Sequence, residues 1–294
     1  MWLLEDHTIR TVIYGSALVG GISGGLGCFA YLNRQSLVGD VIAHSSLLGI
    51  VLAFLVGGTL GLSGTRSLSL LMVGAVLAGL LASLVTRSVT TRTRLPKDAA
   101  LGVMLAVFFG SGLTLLRWLQ RRSPPLPGVA GLDDYLFGMA AATTTGDVQL
   151  TAMVGLPMVL LAVLAWNRLK IVTLDAGFAT GLGVRVHVWE VAIQIVLVVS
   201  IVIGLQIVGV ILMIALLITP AAAARQWTRH MGPMTLLAAA IGCVCAVTGA
   251  IVSSLGVHLP TGPVIVLLLA IVFLLSIFFA PQRGIVFRRT PHDV

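Results

Sequence analysis

The chain consists mostly of apolar runs of about 20 residues, separated by short polar segments. A helical run of that length crosses a hydrocarbon core of about 30 Å, because each helical residue rises about 1.5 Å. Hydrophobic residues make up 58% of the 294 residues and charged residues only 10%, whereas about a quarter of the residues of a soluble domain are charged. The sequence therefore predicts an all-α, polytopic transmembrane helix bundle that forms a single domain over residues 1–294.

The apolar runs predict nine spans, and the basic residues between them predict their orientation. Most Arg and Lys residues lie in the odd-numbered connections, which the positive-inside rule places in the cytoplasm. The N-terminus is thus expected outside and the C-terminus inside. Three arginines in the fourth connection, Arg117, Arg121 and Arg122, disagree with this orientation. The predicted spans cover residues 11–33, 36–58, 67–87, 99–118, 147–167, 187–206, 208–225, 234–254 and 262–280.

The net charge of +8 does not indicate a nucleic-acid partner, because the basic residues lie in short loops and not on one continuous face. The fourth connection is the longest loop and begins with a Pro-rich stretch, after which residues 133–142 predict a short helix at the outer surface. The expected environment of the chain is membrane lipid.

Two ionisable residues, Asp40 and His44, lie early in the second predicted span. Such residues are costly in a membrane and usually face a cavity or a partner. Their i,i+4 spacing places both on one helix face, with Cβ atoms about 6 Å apart, so they are able to share one ion. One carboxylate and one imidazole suit Mn²⁺, Fe²⁺ or Zn²⁺ better than Mg²⁺ or Cu⁺. Spacing alone leaves a structural alternative, in which Asp40 caps the helix and His44 bonds a neighbouring helix.

Segment 174–183, in the fifth connection, is amphipathic. Leu174, Phe178 and Leu182 recur at i,i+4 on one stripe, and Gly183 is expected to end the helix. On the cytoplasmic face, such a helix either docks into a groove of a soluble partner or lies on the bilayer surface.

Two other residues are further candidates for an ion pathway. Glu190 lies near one end of its span and His258 lies in an outer loop. Each also has a structural interpretation, because Glu190 is able to reach the headgroups and His258 is able to remain solvated.

Three stretches together resemble one known family. These are LVGDVIAHSSLLG at residues 37–49, FATGLG at residues 178–183, and the C-terminal part from residue 208 to residue 268. They are similar to the manganese, zinc and iron ABC permeases of bacteria, and the similarity extends over nearly the full length. Family members commonly have Pro where this chain has Leu48, so we expect a straighter helix there.

The resemblance implies a permease subunit of an ATP-binding-cassette importer, a multi-pass protein of the bacterial cell membrane that moves Mn²⁺, Zn²⁺ or Fe²⁺ into the cytoplasm. It places Asp40 and His44 in the metal pathway and segment 174–183 against a cytoplasmic ATP-binding subunit. It also implies an extracytoplasmic metal-binding protein and a second permease subunit, identical or paralogous. We expect no enzyme activity and no intrinsic cofactor, and the sequence has no G-x-x-x-x-G-K-[ST] loop for ATP hydrolysis.

Two alternatives to an ABC permease for metal ions remain open. A secondary metal-ion carrier would predict several membrane carboxylates or recognisable inverted halves, which the sequence does not display. A permease for another small substrate, such as a metal chelate, is the second alternative. An intramembrane metalloprotease is disfavoured because the sequence contains no H-E-x-x-H.

Overall fold

The computed structural model describes residues 7–33, 35, 37–59, 68–121, 129, 143–255 and 259–281. Within these ranges the chain forms ten helices and no strand, which confirms the predicted all-α class. The predicted surface helix at 133–142 and the candidate residue His258 lie outside the described residues. The helices are α1 His7–Leu32, α2 Val38–Thr59, α3 Leu68–Arg92, α4 Lys97–Gln120, α5 Thr145–Leu164, α6 Trp166–Leu174, α7 Ala176–Gly181, α8 Val186–Trp227, α9 Met231–Leu255 and α10 Thr261–Phe279.

Eight of the described helices, all except α6 and α7, are long and apolar enough to cross a membrane. Helix α8 has 42 residues, about twice the number that one crossing needs. It contains one residue with non-helical backbone angles, Gly209, at φ 77° and ψ 171°. A positive φ is costly for residues with a Cβ, so glycine is the residue that allows this break.

The two halves of α8 run in opposite directions. A Cβ added to Gly204 would collide with Sδ of Met213, although residues nine apart in a straight helix are separated by about 13.5 Å. The chain therefore folds back at Gly209. The predicted spans 187–206 and 208–225 are thus two separate passes. The chain reverses its direction at Gly209, with no loop between the two passes.

Contacts with α1 show the same reversal. In the first half of α8, Ile207 lies near Gly15 while residue 204 lies near residue 19, so this half is antiparallel to α1. In the second half, Met213 accepts a hydrogen bond from Ser23 at 3.6 Å, and residue 217 packs on residue 27, so this half is parallel to α1. Helices α1, α2 and α8 hold most of the buried core, whereas α5 and α10 keep exposed apolar faces that suit lipid.

Side-chain contacts show which helix ends lie together at each end of the bundle. At one end, Phe29 of α1 packs edge-on against Trp166 of α6, and Trp227 of α8 donates to Ser276 of α10 at 3.0 Å. We call this the basic end, because it also carries Arg87, Arg92, Arg94, Lys97, Arg168, Lys170, Arg185, Arg225 and Arg229. The predicted cytoplasmic connections therefore meet at one end of the bundle, as the positive-inside rule requires.

The opposite end is held by other polar contacts. Gln206 of α8 donates to Asp147 of α5 at 2.6 Å, and Ser253 of α9 hydrogen-bonds to Leu259 at 2.7 Å. Helix α4 begins at the basic end, so Arg117 and Arg121 lie toward this opposite end. The two arginines remain the exception to the charge pattern.

Helices α1 and α9 approach each other very closely. A Cβ added to Gly20 would collide with the carbonyl oxygen of Gly242, and one added to Gly24 would lie 2.5 Å from the carbonyl oxygen of Ala238. Apolar helices gain no hydrophobic energy from each other in lipid, so close backbone packing between small residues supplies much of their association. Gly20 and Gly24, spaced as G-x-x-x-G in the sequence, thus form this crossing.

This geometry distinguishes two neighbouring glycines. We expect Gly20→Ala to lower the stability of the protein by about 1–3 kcal/mol, because the added methyl group has no space. Gly21→Ala is the matched control, since its Cβ would lie 3.9 Å from the nearest atom, Cβ of Cys243. Thermal unfolding of the purified protein in detergent measures both effects, and equal melting temperatures for the two variants would contradict the packing described.

Candidate metal-binding pair and coupling segment

The structure places Asp40 in the first turn of α2 and His44 one turn later on the same face. Nε2 of His44 lies 3.8 Å from Oδ1 of Asp40. Two ligand atoms that each bind one ion at about 2.0–2.2 Å are separated by roughly 3 to 3.4 Å. A small closing movement would therefore let both side chains bind the same ion. The side chains are 28% and 32% exposed for His44 and Asp40, so the pair is open on one side.

A ring from α4 fixes the orientation of His44. Phe109 lies edge-on to the imidazole, with ring centroids 4.7 Å apart. Helix α4 reaches this position because Gly112 packs on the backbone of α2, where an added Cβ would lie 2.9 Å from the amide nitrogen of Leu48. Leu48 itself lies within α2, and the straighter helix expected from the missing proline stays a prediction.

The structural alternatives for the pair find no support within the described residues. Nδ1 of His44 is buried without a hydrogen-bond partner there, so this nitrogen does not bond a neighbouring helix. Asp40 is the third residue of α2 and lies inside the helix, whereas a capping residue precedes it. In the same part of the chain, no third His, Cys, Asp or Glu completes a metal-binding group. One chain thus contributes two potential ligands.

The predicted amphipathic helix at 174–183 is corrected in one respect. The structure divides it, because α6 ends at Leu174 and α7 begins at Ala176. Asp175 causes the division: its backbone is extended at φ −151°, and its Oδ1 accepts a hydrogen bond from the amide of Phe178 at 2.9 Å. An aspartate that satisfies a free amide in this way starts a new helix.

The three apolar side chains of the segment are nevertheless all exposed. Leu174, Phe178 and Leu182 are 54%, 59% and 56% exposed. Gly183 ends the segment with φ 74°, as predicted, and residues 183 and 184 donate to the carbonyls of residues 180 and 179. This pattern is a Schellman motif, which satisfies the last carbonyls of a helix. The segment is therefore a well-formed projection with an uncovered apolar surface.

Glu190, the further pathway candidate, does not join Asp40 and His44. It accepts a hydrogen bond from Arg87 of α3 and lies on the wall of a cavity of about 200 Å³ at the basic end. Helix α2 contributes residues 38, 41 and 42 to this cavity, so residues 40 and 44 lie on another face of the same helix.

Sequence reasoning missed Arg87 as the partner of Glu190. It treated Arg87 only as one of the basic residues that set the orientation of the chain in the membrane. A signal was present, because a carboxylate within a span generally requires a charged or hydrogen-bonding partner.

A bundle with an ionisable pair in one span and an exposed apolar segment at its basic end has the features of a membrane-embedded transport subunit. The chain belongs to the ABC 3 transport family, which matches residues 5–280. This membership confirms the resemblance found in the sequence and makes the chain a multi-pass protein of a bacterial cell membrane.

Individual relatives agree with this assignment. The zinc transport system membrane protein TroC of Treponema pallidum is 41% identical over 288 residues, which cover 98% of this chain and 94% of that protein. The manganese transport system membrane protein MntC of Bacillus subtilis is 38% identical over 286 residues, which cover 97% of this chain and 64% of that protein. The structure of PsaBC from Streptococcus pneumoniae in complex with Fab matches with a TM-score of 0.80 and 29% identity, over 96% of this chain and 95% of that one.

Proposed function

We propose that the chain is the permease subunit that moves a divalent transition metal, Mn²⁺ or Zn²⁺, into the cytoplasm in an ABC importer. The observation that carries the proposal is the pair of Asp40 and His44, which lies on one face of a membrane helix with ligand atoms 3.8 Å apart. The names of the relatives, a zinc and a manganese transport protein, agree with this ligand chemistry. Fe²⁺ also fits the pair and remains a prediction from the sequence.

The charge of Asp40 supplies the attraction for a dication. Coulomb interactions are several times stronger in a low-dielectric membrane protein than in water, so one carboxylate strongly favours a cation there. The imidazole adds a ligand that Zn²⁺ and Mn²⁺ accept but that Mg²⁺ uses rarely. A second permease copy, across the open side of the pair, would raise the ligand number to four, which Zn²⁺ accepts and Mn²⁺ supplements with further oxygen atoms.

The acidic residues in the described spans favour an ABC permease over a secondary carrier. Four acidic residues lie in the described spans, and two of them, Asp147 and Glu190, are bonded to Gln206 and Arg87. Asp98 is exposed in the first turn of α4. Asp40 is therefore the carboxylate available for transport, whereas ion-driven carriers use several.

Energy for transport comes, in this proposal, from a separate ATP-binding subunit that docks on α6 and α7. The basic end faces the cytoplasm, with the N-terminus outside and the C-terminus inside. The exposed side chains of Leu174, Phe178 and Leu182 supply the apolar surface that a groove in the partner would cover. A metal-binding protein on the outside delivers the ion.

One prediction concerns docking. Phe178→Asp should abolish co-purification with the cognate ATP-binding subunit and abolish metal uptake, because a charge would be buried without a partner in an apolar groove. Thr180→Asp is the matched control, since it adds the same charge to an exposed position of the same helix outside the apolar stripe. Affinity purification of the co-expressed subunits measures the complex, and normal recovery with the Phe178 variant would exclude docking through this surface.

Another prediction concerns enzymatic activity. The purified chain should not hydrolyse ATP above background, and hydrolysis should appear when its cognate ATP-binding subunit is added. A phosphate-release assay on both preparations measures this. ATP hydrolysis by the chain alone, at a rate unaffected by the added subunit, would contradict the proposed division of labour.

The decisive experiment addresses the ion pathway. Asp40→Asn and His44→Ala should each reduce uptake of radioactive Mn²⁺ and Zn²⁺ to background, while the protein stays in the membrane and bound to its ATP-binding subunit. Asparagine retains the size and most hydrogen bonds of aspartate but removes the charge that attracts the dication. Uptake at the wild-type rate in both variants would refute the assignment, and loss of the folded protein would favour a structural role for the pair.

A further inference from the structure

An ion pair at the basic end joins α3 to α8. Nη2 of Arg87 donates to Oε2 of Glu190 over 2.5 Å, and the two side chains are 21% and 41% exposed. A hydrogen bond between two charged groups is about twice as strong as one between neutral groups. Partial burial also reduces the screening that weakens ion pairs at a surface. The contact thus stabilises the observed position of α3 against α8.

The same pair lies beside a cavity that several functional elements share. The cavity of about 200 Å³ has walls from five helices, among them α2, which carries Asp40, and α6, which ends at Leu174 of the proposed docking surface and contributes Val172. A movement of α6 against α3 or α8 would change the shape of this space. The cavity therefore connects the proposed docking surface with the helix that carries the metal-binding pair.

Two buried polar atoms at the cavity have no hydrogen-bond partner within the described part of the chain. They are Nη1 of Arg87 and Oε1 of Gln194, a donor and an acceptor. Gln194 lies one turn beyond Glu190 on α8, and both residues line the cavity. A buried polar group without a hydrogen bond destabilises the protein, so an arrangement in which the two atoms meet would remove that cost.

We propose that Arg87 and Glu190 form a latch with two positions that couples the segment α6–α7 to α2. In the position observed here, Arg87 binds Glu190 and the cavity is open. In the other position, α3 shifts along α8 by up to one turn, Nη1 of Arg87 donates to Gln194, and the cavity closes. One-turn displacements between packed elements are a known form of two-state transition. Glu190 thus acts as a positioning residue and not as a ligand of the transported ion.

The latch rests on the proposed function, since it links ATP hydrolysis in the partner to ion movement. It predicts that Arg87→Gln and Glu190→Gln each lower the number of metal ions transported per ATP hydrolysed, with the complex still assembled. A loss of about 5- to 150-fold corresponds to the usual range of coupling between two sites. The reversed pair, Arg87→Glu with Glu190→Arg, should recover part of this ratio, because it restores an ion pair between the same helices.

The experiment uses the complete permease with its ATP-binding subunit in liposomes, with Mn²⁺ uptake and ATP hydrolysis measured on the same sample. Lys97→Gln is the control, because Lys97 lines the cavity but is not part of the pair, and it should leave the ratio unchanged. Wild-type ratios in both single variants would overturn the latch. A reversed pair that performs no better than the single variants would overturn it as well.

The variant Gln194→Leu distinguishes a latch from an ion pair that has only a structural role. It does so even if the Arg87→Gln and Glu190→Gln variants fail to assemble. This change leaves Arg87 and Glu190 intact and removes the acceptor of the second position. A latch requires a lower transport ratio in this variant, whereas a structural pair requires a wild-type ratio. The wild-type complex tests the proposed function separately: absence of any Mn²⁺ or Zn²⁺ uptake there would refute the function, while the latch is judged from the variants of a working transporter.

Discussion

The backbone amide and carbonyl groups of this chain find no water to hydrogen-bond in the hydrocarbon core, and the rest of the structure depends on this constraint. Each segment that crosses the membrane must satisfy its own amides and carbonyls, which only a helix achieves within one segment. Where the chain departs from a helix inside the bundle, at Gly209, the break is buried in protein and requires a residue without a side chain. The reversal there converts one apolar stretch into two passes.

The same environment determines how the helices associate. Lipid is as apolar as leucine, so helix pairs gain stability from close packing and from hydrogen bonds instead of from hydrophobic burial. The crossing of α1 and α9 at Gly20 and Gly242 illustrates the first contribution. The second appears at the two ends of the bundle, where Arg87 bonds Glu190 and Gln206 bonds Asp147.

Carboxylates are few within the described spans, and two of them, Asp147 and Glu190, are bonded to Gln206 and Arg87. Asp40 and His44 are the exception on which the proposed function rests, because Oδ1 of Asp40 and Nε2 of His44 lie 3.8 Å apart and the two side chains remain partly exposed. Glu190 resembled them in the sequence but is neutralised by Arg87. In the proposed function the two carboxylates have different roles, Asp40 toward the ion and Glu190 between helices, although both lie in apolar runs.

The sequence by itself determined what depends on neighbouring residues: the helical class, the spans, the shared face of Asp40 and His44, and the end of segment 174–183 at Gly183. These follow from hydrophobic run length, from the 3.6-residue period and from the φ that glycine permits. Even so, the division of this segment at Asp175 comes from a local capping bond, which hydrophobic periodicity does not reveal. Only the tertiary structure decided the partner of Glu190, the cavity beside it and the antiparallel course of α8. Those features depend on which helices meet, and residues 103 positions apart in the chain, as Arg87 and Glu190 are, leave no periodic signal in one sequence.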